Sequence, residues 1–399
     1  MTERMRLASR PRAAVAVFWG SVLCLPFASV VVITVLAHAL ASADLASISL
    51  VFSLSLVGTV IPLGVQARAA ADTAIRGRSG TIAVLPAALV TVGLAVVMVP
   101  VARILDVGIA AVVLPALSLG PAMAVAAVRG DFVGRGDFGG AALNNLAEAT
   151  IRLVAGIGLG LVWGADGVGA SLLLCTLGAW LVAPRRSPSP DHLRLPATLA
   201  AATALVLSVN WPMIVAPRLL GDAAPAFTAA ALPAMGVYMA LSASAWVVVP
   251  HVRDHRSFLL VVRPVLLVVL AGCGLTAMLL PAAPVIGRLL DRPSPPLALL
   301  AVLGLAMACA SGSWVLLQLR LVRSATAPWA PSAVALVVIA AVSIAFRSSD
   351  GLAVATVAGQ FAGLGTGLVL LAFETRSAPS SVRASSSAPP VSLAVEAGP

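Results

Sequence analysis

Lysine is absent from all 399 residues, and charge of either sign is scarce: arginine supplies all 25 basic side chains against 15 acidic ones, and 10% of the chain is charged. A soluble domain carries about a quarter of its residues charged, so an ordinary soluble globular protein is excluded. Only 5% of residues are aromatic. The net charge of +10 lies on arginines that punctuate apolar runs and form no stripe with aromatics, which excludes nucleic acid as a partner. The four cysteines, Cys24, Cys175, Cys273 and Cys309, fall singly in apolar segments with no CxxC spacing. They are expected to be small buried hydrophobes, with neither a zinc site nor a redox pair. The four histidines, His38, His192, His251 and His255, make no HExxH spacing, and no P-loop sequence is present. No metal, no cofactor and no direct use of ATP is therefore expected.

What is abundant is apolar length. The chain is 60% hydrophobic with a mean hydropathy of +1.06, which defines an all-α, polytopic membrane protein. A span needs about 20 mostly apolar residues. That criterion predicts about 12 transmembrane helices, near 14–40, 45–69, 80–101, 108–128, 140–163, 167–183, 197–217, 226–250, 258–281, 297–319, 330–346 and 351–373. The apolar stretch from Ala13 to Ala41 precedes no cleavage in this reading: it is about twice the usual length of a signal-peptide core, so the first span is retained. With the N-terminus inside, 19 arginines fall in segments facing the cytoplasm and five outside, namely Arg103, Arg218, Arg288, Arg292 and Arg347, while Arg152 lies within a span. This positive-inside bias predicts a multi-pass protein of the plasma (inner) membrane, with both termini cytoplasmic and the arginines near membrane lipids.

The two halves repeat at an offset of 184. Leu119–Ala126 (LGPAMAVA) returns as Leu303–Ala310 (LGLAMACA), with Gly120 over Gly304 and Met123 over Met307; Asp166-Gly167 returns as Asp350-Gly351. Pro100 to Asp106 returns as Pro284 to Asp291 with one insertion. The domain plan is thus a short N-terminal tail (1–13), an N-lobe (14–183), a basic Pro/Ser linker (184–196), a C-lobe (197–373) and a Ser/Ala/Pro-rich tail (374–399) expected to be disordered. The two six-helix pseudo-repeat lobes would surround a central cavity, as in transporters that rock one half against the other.

One stretch breaks the apolar pattern. A polar turn carrying Arg129, Asp131, Arg135 and Asp137 leads into the fifth span, which holds Asn144, Asn145, Glu148 and Arg152. Glu148 and Arg152 are spaced i, i+4 with the acid first, the favoured order for a helical ion pair. Charges at that depth usually face a bundle interior or a wet cavity. The corresponding span of the second half, Pro331 to Phe346, has neither acid nor base. Two readings stand: a cavity-lining pair in which Arg152 attracts an anionic headgroup and Glu148 neutralises or releases it, with proton exchange, or a salt bridge that pins the helix to a neighbour. Asn144 and Asn145 extend the same wet surface or bond between helices. Arg68 and Arg253, near Pro62 and Pro250 at inner helix ends, either meet an incoming phosphate or simply set topology. Asn210-Trp211-Pro212 is expected to interrupt the seventh span, with Asn210 facing the cavity. Gln318 and Gln360 are intramembrane polar residues with no spacing logic.

Twelve spans in two halves, the turn Arg129-Gly130 … Gly136-Asp137-Phe138 and a following helix with Glu148 and Arg152 resemble the multidrug/oligosaccharidyl-lipid/polysaccharide (MOP) exporter superfamily. The nearest likeness is to its polysaccharide-biosynthesis and O-antigen flippases. That resemblance implies a flippase rather than an enzyme. It would move a lipid-linked glycan or similar amphipathic anion by alternating access, alongside glycan-assembly enzymes. A drug or metabolite antiporter of the same superfamily is the alternative. A membrane glycosyltransferase or polymerase would want acids in sizeable outer loops, whereas here single acids such as Asp44, Asp106 and Asp166 occupy short ones. A non-transporting scaffold for glycan assembly is the remaining class.

Overall fold

A computed structural model of the chain describes residues 3–40, 47–48, 51–52, 55, 58–77, 84–104, 107–183, 196–252, 258–289, 294–322 and 327–376. The described residues form helices α1 (Glu3–Ala39), α2 (Val60–Arg76), α3 (Val84–Ile104), α4 (Ile109–Gly134), α5 (Phe138–Val182), α6 (Pro196–Leu220), α7 (Ala224–Val252), α8 (Phe258–Leu289), α9 (Leu297–Val322), α10 (Ala330–Ala345) and α11 (Ser349–Arg376). A single 3-10 turn, Gly221–Ala223, joins α6 to α7. Eight of the helices are long and apolar enough to cross a membrane, and the apolar stretches Ala87–Arg103 and Ala330–Ala345 are shorter. Parts of the expected second span lie outside the described residues, as do residues 184–195 of the linker and most of the tail. Helix α1 begins upstream of residue 14, and α11 continues to Arg376.

Straight, α5 would reach about 68 Å, twice the hydrocarbon thickness. Instead it folds back at Gly164, whose φ of 56° and ψ of −131° suit only glycine. The two arms lie antiparallel, with Asn144 Nδ2 donating to the Ala179 carbonyl at 2.7 Å. They are the fifth and sixth spans of the sequence reading.

The repeat is visible in the packing. In the N-lobe, a Cβ on Gly120 of α4 would lie 3.2 Å from Thr91 Oγ1 of α3; in the C-lobe, one on Gly304 of α9 would meet Thr276 of α8. Both threonines return their hydroxyl proton to the carbonyl four residues back, Ala87 and Gly272, at 2.8 Å. Helix contacts repeat likewise: α2 on α4 and α3 on α4 match α7 on α9 and α8 on α9, while α1 on α5 matches α6 on α10 and α11. Between the lobes, α1 meets α7 and α2 meets α6, which are equivalent pairs.

Among the described residues the lobes share a core at one end. Phe18, Ala67, Ala70, Ala71, Ala74, Phe132, Val133 and Phe138 of the N-lobe join a cluster with Trp246, Trp314, Leu317 and Leu321 of the C-lobe. All of these N-lobe residues lie in the half of the bundle where the arginines gather. Toward the other end the N-lobe has a core of its own, Val32, Leu36, Ala111, Val168 and Leu172. The described residues of the two lobes thus pack together at the arginine-rich end.

Candidate functional site

Helix α4 runs past residue 128, where the sequence reading ended it. Arg129 and Asp131 are therefore helical and buried, not part of a turn. Two glycines of this stretch serve close packing. A Cβ on Gly134 would lie 2.6 Å from the Ala70 carbonyl oxygen of α2, and one on Gly130 would collide with that of Gln66. Asp131 fixes the junction by accepting hydrogen bonds from Thr73 Oγ1 and Arg135 Nε, both at 3.0 Å. The chain then reverses through Gly136, and the Asp137 carboxylate caps α5 by accepting the Gly140 N–H at 3.2 Å, as an N-cap aspartate does.

This short reversal sets Arg129 against α5. Its Nε donates to Asn144 Oδ1 at 2.6 Å, and one terminal nitrogen donates to the Asn144 carbonyl at 3.2 Å and to Glu148 Oε2 at 2.6 Å. The second Glu148 oxygen accepts from Arg152 at 3.3 Å, across the i, i+4 spacing predicted from sequence. Arg152 also donates to Ser29 Oγ of α1 at 3.1 Å. Asn145 Nδ2 donates to Ser21 Oγ of α1 at 3.2 Å. One carboxylate therefore serves two guanidiniums among α1, α4 and both arms of α5. Both asparagines bond between helical segments.

The burial is graded. The side chains of Glu148, Arg129 and Arg152 are 7%, 11% and 17% exposed. Arg152 is the least enclosed, and its Nε is without a partner. Desolvating an ion costs several kcal/mol even after relaxation, and such a cost is met only by close pairing and further hydrogen bonds. Arg129 and Glu148 have both. Arg152 has a longer ion pair and an unmet donor, and the trio keeps one net positive charge.

Of the remaining sequence candidates, Arg68 pairs with Asp72 on its own helix at 2.8 Å and does not join the cluster. Asn210 donates back to the Val206 carbonyl at 2.8 Å. Helix α6 runs unbroken through Pro212, correcting the expected interruption: a proline removes one N–H and one intrahelical bond, and the flanking turns hold. Arg253 lies outside the described residues. Arg129 was missed as the partner of Glu148, although a signal existed. Arg129 and Asn144 stand seven residues to either side of Gly136-Asp137, which places them side by side in a helical hairpin. Arg320, counted from sequence as a topological arginine, is 1% exposed on its side chain and donates twice to Glu374 Oε1, at 3.1 and 2.7 Å. Among the described residues no group of three His, Cys, Asp or Glu side chains assembles as a metal site.

Two repeated helical lobes of membrane-spanning length, with a buried ionic cluster in one lobe, define a polytopic membrane protein of the two-lobe type. No family model matches the sequence, and no curated protein matches it. Solved structures match its fold. A multidrug resistance MATE family transporter of the MOP superfamily, in an outward-facing conformation, aligns with a TM-score of 0.69 at 13% identity, covering 92% of this chain and 96% of that one. A MOP superfamily transporter from Pyrococcus furiosus, described as having a binding pocket of reverse polarity that suggests a different function, aligns at 0.70 and 12% identity over 92% and 96% of the two chains. A MATE structure in the straight conformation aligns at 0.70 and 14% identity, over 92% and 97%. The chain thus shares its fold with these transporter structures.

Proposed function

We propose that this chain is a membrane transporter that moves an amphipathic anion, a lipid-linked saccharide in the first instance, between leaflets by alternating access of its two lobes. The observation that carries the reading is the net positive charge of a cluster in which a single carboxylate serves two arginines, with Arg152 its most exposed member. A phosphate or carboxylate headgroup that reached the guanidinium would balance the remaining charge of the cluster. Glu148 is the coupling group in this scheme: protonating it releases both guanidiniums, and an arriving anion replaces the lost charge. Cytoplasmic entry at the arginine-rich end is part of the same proposal. A groove of about 360 Å³ between α1 and α7, lined by Leu23, Pro26, Phe27, Val30 and Met239 among others, is almost wholly apolar. It supports a lipid tail that stays in the bilayer while the headgroup crosses.

The fold favours a second reading equally, export of a drug or small metabolite, since the solved structures it resembles include a multidrug transporter. The readings part on substrate. In proteoliposomes, Arg152→Ala should abolish translocation of a fluorescent lipid diphosphate sugar while the protein stays at normal abundance. Transport of cationic dyes by the wild type, with no movement of the lipid probe, would decide for the drug reading.

A further inference from the structure

Helix α9 is the most enclosed of the described spans, contacted by α6, α7, α8 and α11 and, across the lobe seam, by α2. On it, the indole Nε1 of Trp314 and both amide atoms of Gln318 are buried without any hydrogen-bond partner. Trp314 is 1% exposed and Gln318 0%. At a spacing of i, i+4 the two side chains share one strip of the helix. That strip meets α7, where the Trp314 and Trp246 rings pack edge to face with centroids 5.6 Å apart. Other positions on α9 meet α8 and α11, Gly312 lying against Val269 and Leu364 and Arg320 bonding Glu374. Trp314 also shares its core with Ala67, Ala70 and Ala71 of α2 in the opposite lobe. Packing alone would place a leucine at 318. A buried amide with neither donor nor acceptor met is rare in native structures and calls for a role.

We propose that Trp314 and Gln318 form a sugar-binding subsite that is dry and closed in this structure and is laid open when α2 parts from α9. The proposal rests on the transport reading above and names the part of the substrate that these residues take. A saccharide offers hydroxyls that both donate and accept, which a primary amide matches with its carbonyl and NH₂ together. Its C–H face packs on an indole, whose N–H remains free for a further hydroxyl. The pair carries no charge, so it complements the cationic cluster of the N-lobe: phosphate on Arg152, sugar on α9. Gln318 is four residues from the end of α9, about 6 Å along the axis, close to the arginine-rich mouth.

The test uses the full chain in lipid nanodiscs and two probes, farnesyl diphosphate and the same lipid diphosphate carrying one N-acetylglucosamine, with affinities measured by calorimetry. Wild type should bind the sugar-bearing probe at least about tenfold tighter. Gln318→Leu and, separately, Trp314→Phe should remove that preference while leaving affinity for farnesyl diphosphate unchanged, and Arg152→Ala should weaken both probes alike. Gln318→Leu replaces two unmet polar atoms with carbons of similar volume, so it folds; Gln318→Met is the second apolar variant. A preference that survives in Gln318→Leu and Gln318→Met overturns the subsite. Equal wild-type binding of both probes also overturns it, and leaves the anion-transport reading standing. Binding of neither probe refutes that reading and the subsite with it.

Discussion

Replacing Glu148 by glutamine removes one charge and almost no volume. The carboxylate holds Arg129 at 2.6 Å and Arg152 at 3.3 Å, and the three side chains are at most 17% exposed, so solvent screens them little. Removing one partner of a buried ion pair costs about 3–5 kcal/mol, because the remaining charge stays buried and unpaired. Here two guanidiniums are left, so the loss belongs in the upper part of that range. Arg129→Met in the same background removes the closer of the two stranded charges and should recover at least about 2 kcal/mol, a coupling within the span measured for residues in contact. Reversible unfolding in mixed micelles, followed by tryptophan fluorescence across the four variants of the cycle, measures this directly. If Glu148→Gln unfolds within about 0.5 kcal/mol of wild type, water already satisfies both arginines and the reasoning from burial fails.

Two further substitutions test how the lobe is assembled. Gly134→Val places a side chain against the Ala70 carbonyl and Thr73 of α2, forcing two helices apart; about 1–3 kcal/mol of stability should be lost, read as a lower melting temperature in detergent. Gly164→Ala puts a Cβ at a φ of 56° in the hairpin turn of α5, where there is open space but no comfortable backbone; a comparable loss of about 1–3 kcal/mol is expected from strain alone, with unchanged helicity by circular dichroism.

The spans were legible because membrane insertion demands long apolar runs, and nothing else in a chain produces so many. The repeat was legible at Gly120 and Gly304, where each glycine admits a neighbouring threonine. Helix ends were harder. Arg129 and Asp131 read as a polar turn because charge is expected outside a span, yet they are helical, and Gly130 and Gly134 beside them permit the approach of α2, which only the packed structure reveals. Pro212 read as a break, although one missing hydrogen bond leaves the helix intact. The Glu148–Arg152 pair followed from local spacing. The tighter pair, Glu148–Arg129, depends on how two helices fold across a turn. In the same way Gln318 had no meaning until its burial without partners was known.

The proposed transport mechanism requires Arg152 to meet water and anions when the lobes move, although in this structure the cluster is enclosed. The most direct measurement uses Ser29→Cys, whose side chain replaces the hydroxyl 3.1 Å from Arg152, in a chain with the four native cysteines changed to alanine. Its rates of reaction with negatively and positively charged methanethiosulfonates of similar size are compared. One net positive charge about 5 Å away in a medium of effective dielectric constant about 20 contributes about 3 kcal/mol. The anionic reagent should therefore react at least about tenfold faster than the cationic one, and Arg152→Gln should bring the two rates together. Silence toward both reagents, or a preference for the cation, would contradict the account.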